Sequence, residues 1–264
     1  MTIINKATVI AISGITLMLS ACTTLYKPNP IHSPMLTNKG EGHISTTLGI
    51  SGTGLASMQA AYAVSDHIGI MTDGMFHYRE TNYTDPYNSG QEILKIFSGE
   101  VGIGYFEKFG VNQKQLFQIY TGGGYGTTKA KITYINEPNP VISANFYNMY
   151  IQPGVVFTGN YMDLGIDVRM NYVNLFNVNA YLYDSFDFWN TNYNFTSDST
   201  LQFVLLEPNF TMKVGSKHLK GIFQAGLTIP IVNADGYFAT NSDVFYFAPV
   251  FKLNIGVSYV FGRK

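Results

Sequence analysis

Residues 162–172 read Met162-Asp163-Leu164-Gly165-Ile166-Asp167-Val168-Arg169-Met170-Asn171-Tyr172. Met162, Leu164, Ile166, Val168, Met170 and Tyr172 fall on one side. Asp163, Gly165, Asp167, Arg169 and Asn171 fall on the other. Period two is the signature of a β-strand with one apolar and one polar face. Eleven such residues in a row match the roughly 9–11 residues of a strand that crosses a bilayer.

The same alternation recurs along the chain. Phe251, Leu253, Ile255, Val257, Tyr259 and Phe261 oppose Lys252, Asn254, Gly256 and Ser258. Phe97, Gly99, Val101, Ile103 and Tyr105 oppose Ser98, Glu100, Gly102 and Gly104. Segments at 117–126, 209–214 and 223–229 repeat the pattern. A soluble sandwich alternates too, with its apolar face inward. Here the polar face is rich in Gly, Ser, Asn and Gln, which suits a narrow lumen. Aromatics cluster at segment ends, as at Tyr105-Phe106 and Tyr161, where an interfacial girdle lies in membrane barrels.

Composition points the same way. Charged residues make up 12% of 264 residues and the net charge is −1, against roughly 25% charged residues in soluble domains. A chain so poor in charge cannot easily clothe a water-exposed surface, and it lacks the basic excess of a nucleic-acid binder. Beyond the N-terminus no stretch approaches the roughly 20 apolar residues of a spanning helix. Only helices and closed barrels satisfy every backbone group in hydrocarbon. The expected fold is all-β: an antiparallel up-and-down transmembrane β-barrel of about ten strands over 40–264.

The expected strands are 42–51, 55–65, 67–79, 93–106, 115–128, 142–157, 162–175, 201–214, 221–231 and 244–261. Short connections (Asp66, Glu107–Lys114, Thr158–Tyr161, Gly215–Lys220) alternate with long ones (Glu80–Glu92, Lys129–Pro140, Phe176–Thr200, Val232–Asp243). Gly52-Thr53-Gly54 is the exception, being short where a long one is due. Membrane barrels have short periplasmic turns and long external loops. An even strand number then predicts that both termini lie in the periplasm, where the N-terminal lipid can insert in the inner leaflet.

The N-terminus reads as a targeting segment, 1–21, with Lys6 before an apolar run from Ala7 to Met18. Leu19-Ser20-Ala21-Cys22 follows and resembles the bacterial lipobox, in which the cysteine is acylated and becomes the new N-terminus. Cys22 is the only cysteine, so no internal disulfide accounts for it. By the same resemblance, Thr23 in place of Asp after the cysteine implies the outer membrane. Residues 22–39, with Pro28, Pro30 and Pro34, read as a lipidated tether.

The region from about 40 to 264 resembles the outer-membrane β-barrel-domain proteins of Gram-negative bacteria. Gly49-Ile50-Ser51-Gly52, Gln59-Ala60-Ala61-Tyr62-Ala63-Val64 and the closing Gly256-Val257-Ser258-Tyr259-Val260-Phe261 carry that resemblance. The family commonly ends on a terminal aromatic. Here Gly262-Arg263-Lys264 follow Phe261, a departure from the pattern.

Candidate functional residues are few. Glu100, Asp163, Asp167, Arg169, Glu207, Lys213 and Lys252 fall on the polar faces and form a candidate lumen network, expected to close the barrel by ion pairing rather than to line a wide pore. Gly122-Gly123-Gly124-Tyr125-Gly126 precedes no helix, so it marks tight packing rather than a phosphate loop. Asp73 and His77 share a face and invite comparison with the Asp/His site of outer-membrane proteases, but a rim histidine is the simpler reading. No metal or cofactor motif occurs. The aromatic loop 176–200, with Tyr181, Tyr183, Trp189 and Tyr193, is a candidate surface for a protein or glycan partner. The expected role is non-enzymatic, structural or interactive, at the outer membrane. The alternatives are a small-ligand transport or binding barrel and, more remotely, a membrane-embedded hydrolase.

Overall fold

A computed structural model describes residues 26–51, 56–84, 89–110, 112–134, 141–159, 161–181, 194–195, 200–233 and 250–263. The described chain contains no helix. Its strands are β1 (Gly42–Ser51), β2 (Ala56–Ala63), β3 (Ile68–Thr84), β4 (Ser89–Phe109), β5 (Gln115–Tyr134), β6 (Val141–Phe157), β7 (Met162–Tyr181), β8 (Asn194–Phe195), β9 (Leu201–Gly215), β10 (Leu219–Asn233) and β11 (Val250–Phe261). Every neighbouring pair is antiparallel. β1 pairs with β11 from Gly42↔Phe261 to Ser51↔Leu253, and β6 with β7, so the sheet closes. β8 only extends the tip of β7, at Ala180↔Phe195. Ten strands therefore form the closed antiparallel barrel that the alternation predicts.

The facing agrees with the alternation as well. Asp163, Asp167, Arg169 and Asn171 are buried inside, whereas Met162, Ile166, Val168 and Met170 are exposed outside. The glycine run of β5 is a packing device. Gly122 faces inward, and a Cβ there would meet the carbonyl oxygen of Val101 and the hydroxyl of Tyr150, at 2.6 Å from the latter.

Strand ends depart from expectation at the end with the long connections. β3 and β4 stay paired from Arg79↔Leu94 up to Thr84↔Ser89, where a loop over Glu80–Glu92 was expected. Above the apolar zone both faces of a strand can be polar. The period-two signal then fades while the backbone ladder continues. Residues 244–249, assigned to the last strand, lie outside the described residues. The described β2–β3 pairs run to Ala56↔Phe76, and the β3–β4 pairs continue eight registers further.

On the outer face, aromatic side chains stand at two levels. Tyr105 and Phe97 on β4, Phe117 and Tyr125 on β5, and Tyr259 and Phe251 on β11 are each separated by eight residues and all are exposed. At about 3.3 Å per residue and the usual barrel tilt, the two levels lie roughly 20 Å apart. Between them, no described Asp, Glu, Lys or Arg points outward. Three outward threonines do lie there, and each donates its hydroxyl to a backbone carbonyl of the next strand. Thr46 reaches Ser57 at 3.1 Å, Thr72 reaches Glu100 at 3.1 Å and Thr121 reaches Tyr150 at 2.9 Å.

Residues 26–36 belong to the stretch 22–39 expected as a lipidated tether; all of them are buried, and they run down the lumen. Tyr26 packs among Leu94, Ile96, Phe146 and Phe203, toward the long-connection end. Met35 and Leu36 pack among Ala63, Phe106, Leu116 and Val156, toward the short-turn end. There the amide of Gly40 donates to the carbonyl of Ala63 at 2.9 Å and the chain enters β1. The described chain thus begins near one end of the barrel and finishes, at Arg263, at the other. The even strand number places only Gly42 and Phe261 together; it does not govern the segment in front of β1.

These contacts predict a contrast between two glycines. Gly122→Val should lower the thermal unfolding midpoint, since overpacking against backbone costs about 1–3 kcal/mol. Gly74→Ala, whose Cβ would meet nothing within 4 Å, should leave the midpoint unchanged.

Candidate functional site

The lumen gathers the buried polar chemistry of the described residues, and it is assembled by strand alternation. Every inward position of β7 from Asp163 to Asn171 delivers a polar group or a glycine to it, and the facing strands add Gln59, Asp73, Glu100 and Gln118. All seven residues of the expected network, Glu100, Asp163, Asp167, Arg169, Glu207, Lys213 and Lys252, are buried within it.

At mid-lumen, Arg169 of β7 spans the barrel. Its Nη1 donates to Glu100 of β4 at 2.8 Å and its Nε to Gln152 of β6 at 3.0 Å. Its guanidinium also lies 4.2 Å from the ring centre of Tyr150. Glu100 accepts a second bond from Asn148 at 2.9 Å. Lys252 of β11 pairs with Glu207 of β9 at 2.7 Å. Asp167 accepts from Gln118 at 2.8 Å. Each charge taken from water thus meets an opposite charge or a directed donor, as burial requires.

The second half of the site is the N-terminal segment, which the alternation did not announce. Four successive carbonyls, Pro30 to Ser33, are each caught by a different strand. Gln59 of β2 donates to Pro30 at 3.0 Å, and Gln224 of β10 to Ile31 at 2.8 Å. Gln152 of β6 donates to His32 at 2.8 Å, and Lys213 of β9 to Ser33 at 2.9 Å. Gln118 of β5 clasps Ser33 Oγ at 3.0 Å and accepts from the Met35 amide at 3.2 Å. A segment without a ladder partner must have its backbone groups satisfied by side chains, and long amides are the side chains that reach. His32 pairs with Asp73 at 2.9 Å, and its other nitrogen lies 2.6 Å from that of His43. Higher up, the Tyr26 ring stacks edge-on against Phe146 at 5.0 Å, and its hydroxyl accepts from Asn171 at 3.1 Å. The wall is shaped for this segment: a Cβ on Gly165 would come within 2.7 Å of Met35 Cε.

The floor is closed by the C-terminus. Arg263 folds back to Glu41 at 2.7 Å, to Asp163 at 3.0 Å and to the Met35 carbonyl at 3.1 Å. Lys220 shares Asp163 at 2.5 Å. Burial would lower the pKa of the Arg263 guanidinium, but Glu41 and Asp163 outweigh it and hold the group protonated more firmly than usual. Arg263, two residues after the last aromatic, therefore has a structural task.

His77 is buried inside β3, not set among rim loops. Asp73 faces the same way but is engaged by His32. Asp85, Asp184 and Asp187, the loop acids that could accompany His77 in hydrolysis, lie outside the described residues. Among the described residues no three His, Cys, Asp or Glu side chains come together as a metal site. Of the partner-surface residues, Tyr181 ends β7; Tyr183, Trp189 and Tyr193 lie outside the described residues, as does Cys22. No protein-family model and no curated protein matches this chain.

The mid-lumen pair can be tested by a double-mutant cycle. Arg169→Met strands the Glu100 carboxylate and should cost about 3–5 kcal/mol in denaturant unfolding. Arg169→Met combined with Glu100→Gln should recover a substantial part. Simple additivity of the two changes would show that the pair is not coupled.

Proposed function

We propose that this protein is an outer-membrane β-barrel lipoprotein, acylated at Cys22, with a structural or surface-interaction role and a lumen closed to transport. The observation that carries this reading is the inverted polarity of the barrel. Among the described residues its outer face is apolar and free of charge between two aromatic levels, while the charges at that height lie within. In water such a surface would be an association hazard. Against hydrocarbon it is the expected solution, with the aromatic levels at the two interfaces. The three outward threonines fit the same setting, because each hydroxyl finds its partner on the barrel itself and asks nothing of the surroundings.

The filled lumen argues for a structural or interactive role over conduction. The segment 26–36 and the ion pairs occupy the interior of a ten-stranded ring, and barrels near eight strands are already filled by side chains. Partner recognition then falls to the long connections, among them the aromatic one that contains Tyr183, Trp189 and Tyr193.

Three measurements test the reading. Val168→Arg, at mid-height on the outer face, should cost about 2–4 kcal/mol of membrane stability and deplete the protein from the outer-membrane fraction. Val168→Leu should not. Metabolic labelling with a fatty-acid analogue should mark the wild type and spare Cys22→Ser. Reconstituted in a planar bilayer, the wild type should pass no steady current. Sustained single-channel conductance would replace the closed barrel with a transport barrel.

A further inference from the structure

We infer that the N-terminal lipid of this protein emerges at the long-connection end of the barrel, so that the chain is anchored in the outer leaflet through its own lumen. The inference rests on the reading above and reverses the simplest anchoring geometry, in which the lipid would sit beside the short turns.

The direction of the segment decides the matter. Its contacts descend in register with the sequence. Tyr26 donates its ring to the cluster around Phe146 and Phe203. Asn29 accepts from Ser98, and His32 meets Asp73. Met35 meets Gln118 and Arg263. Asn38 accepts from Lys108 at 2.9 Å, beside the β4–β5 turn. The chain therefore enters near the long connections and leaves at the short turns.

Chain length then excludes the opposite arrangement. Cys22 stands four residues before Tyr26. Four residues reach at most roughly 14 Å even when fully extended. To return to the short-turn end, the chain would have to retrace the whole path that Tyr26–Lys39 occupies, through a lumen that this path already fills. The route toward the long connections is short. The described β2–β3 pairing reaches Ala56↔Phe76. That level adjoins the Met75 and Ile96 positions that flank Tyr26. An acyl group leaving there meets the upper aromatic level, marked by Phe76 and Phe97 on the adjacent wall.

The lumen contacts also acquire a purpose. An anchor that pulls on the segment from above is resisted by the captured carbonyls of Pro30 to Ser33 and by Arg263 on the Met35 carbonyl. The barrel is thus held to its lipid by its interior, and the whole external face remains free for the long connections.

The test uses the full-length chain in Gram-negative cells, with one epitope inserted at a time: between Thr23 and Thr24, after Lys217 in the β9–β10 turn, or after Thr240 in the 234–249 connection. Antibody added to intact cells should bind the first and third versions. The second should bind only after the outer membrane is permeabilised. If the Thr23–Thr24 epitope behaves like the Lys217 one while the Thr240 epitope is surface-exposed, the inference is overturned and the membrane-barrel reading survives. If the Lys217 and Thr240 epitopes are equally accessible, it is the membrane reading that fails. Thr24→Cys supplies a second measurement free of insertion. Acylation consumes the thiol of Cys22, so position 24 would carry the sole free thiol. A membrane-impermeant maleimide should label it on intact cells as fully as on permeabilised ones. Labelling that requires permeabilisation, as for Lys217→Cys, counts against the inference.

Discussion

Closure of the sheet is the constraint on which everything else depends. The β1–β11 seam pairs Gly42 with Phe261 and continues up to Ser51. With that seam made, no barrel strand presents an unpaired edge along it. The backbone groups are satisfied inside the wall, and the two faces are released to opposite chemistries. The outward side chains become apolar without exposing amides. The inward ones become polar and need partners only from one another and from whatever enters the lumen.

What enters is the chain's own N-terminal segment, and it solves two problems together. A ring of ten strands encloses more space than its glycine-rich wall fills, with Gly122, Gly124, Gly126 and Gly165 all turned inward. The segment brings Tyr26, Ile31, Met35 and Leu36 to build small apolar clusters at either end. It also offers carbonyls to Gln59, Gln152, Gln224 and Lys213, giving the buried donor of each an acceptor on the segment. Wall and segment complete one another's hydrogen bonds, so neither is arranged as it would be alone.

Charge in the lumen follows the same economy. Glu100 with Arg169, Glu207 with Lys252, and Asp163 with Lys220 and Arg263 join strands that are not sheet neighbours or that lie on opposite walls. Such pairs are weak evidence of stability, because desolvation offsets much of their attraction. They do specify which wall faces which, and they leave little room for water-filled passage.

The sequence by itself determined the strands, their facing and the ring. Period two is a local property, and the eleven residues from Met162 to Tyr172 display it without help from the rest of the chain. Glu100, Asp163, Asp167, Arg169, Glu207, Lys213 and Lys252 could be placed inside for that reason alone. Lys220 and Arg263 could not, since they stand at strand ends where alternation stops. The upper reaches of β3 and β4 were hidden because both of their faces are polar. The path of residues 26–36 was decided only by the tertiary structure. Its proline-rich stretch has no periodicity and reads locally like a linker. Its partners lie up to 228 residues away, as with Met35 and Arg263. A segment held by long side chains from several walls of a closed ring has no counterpart in local sequence, because those partners converge only after the ring has formed.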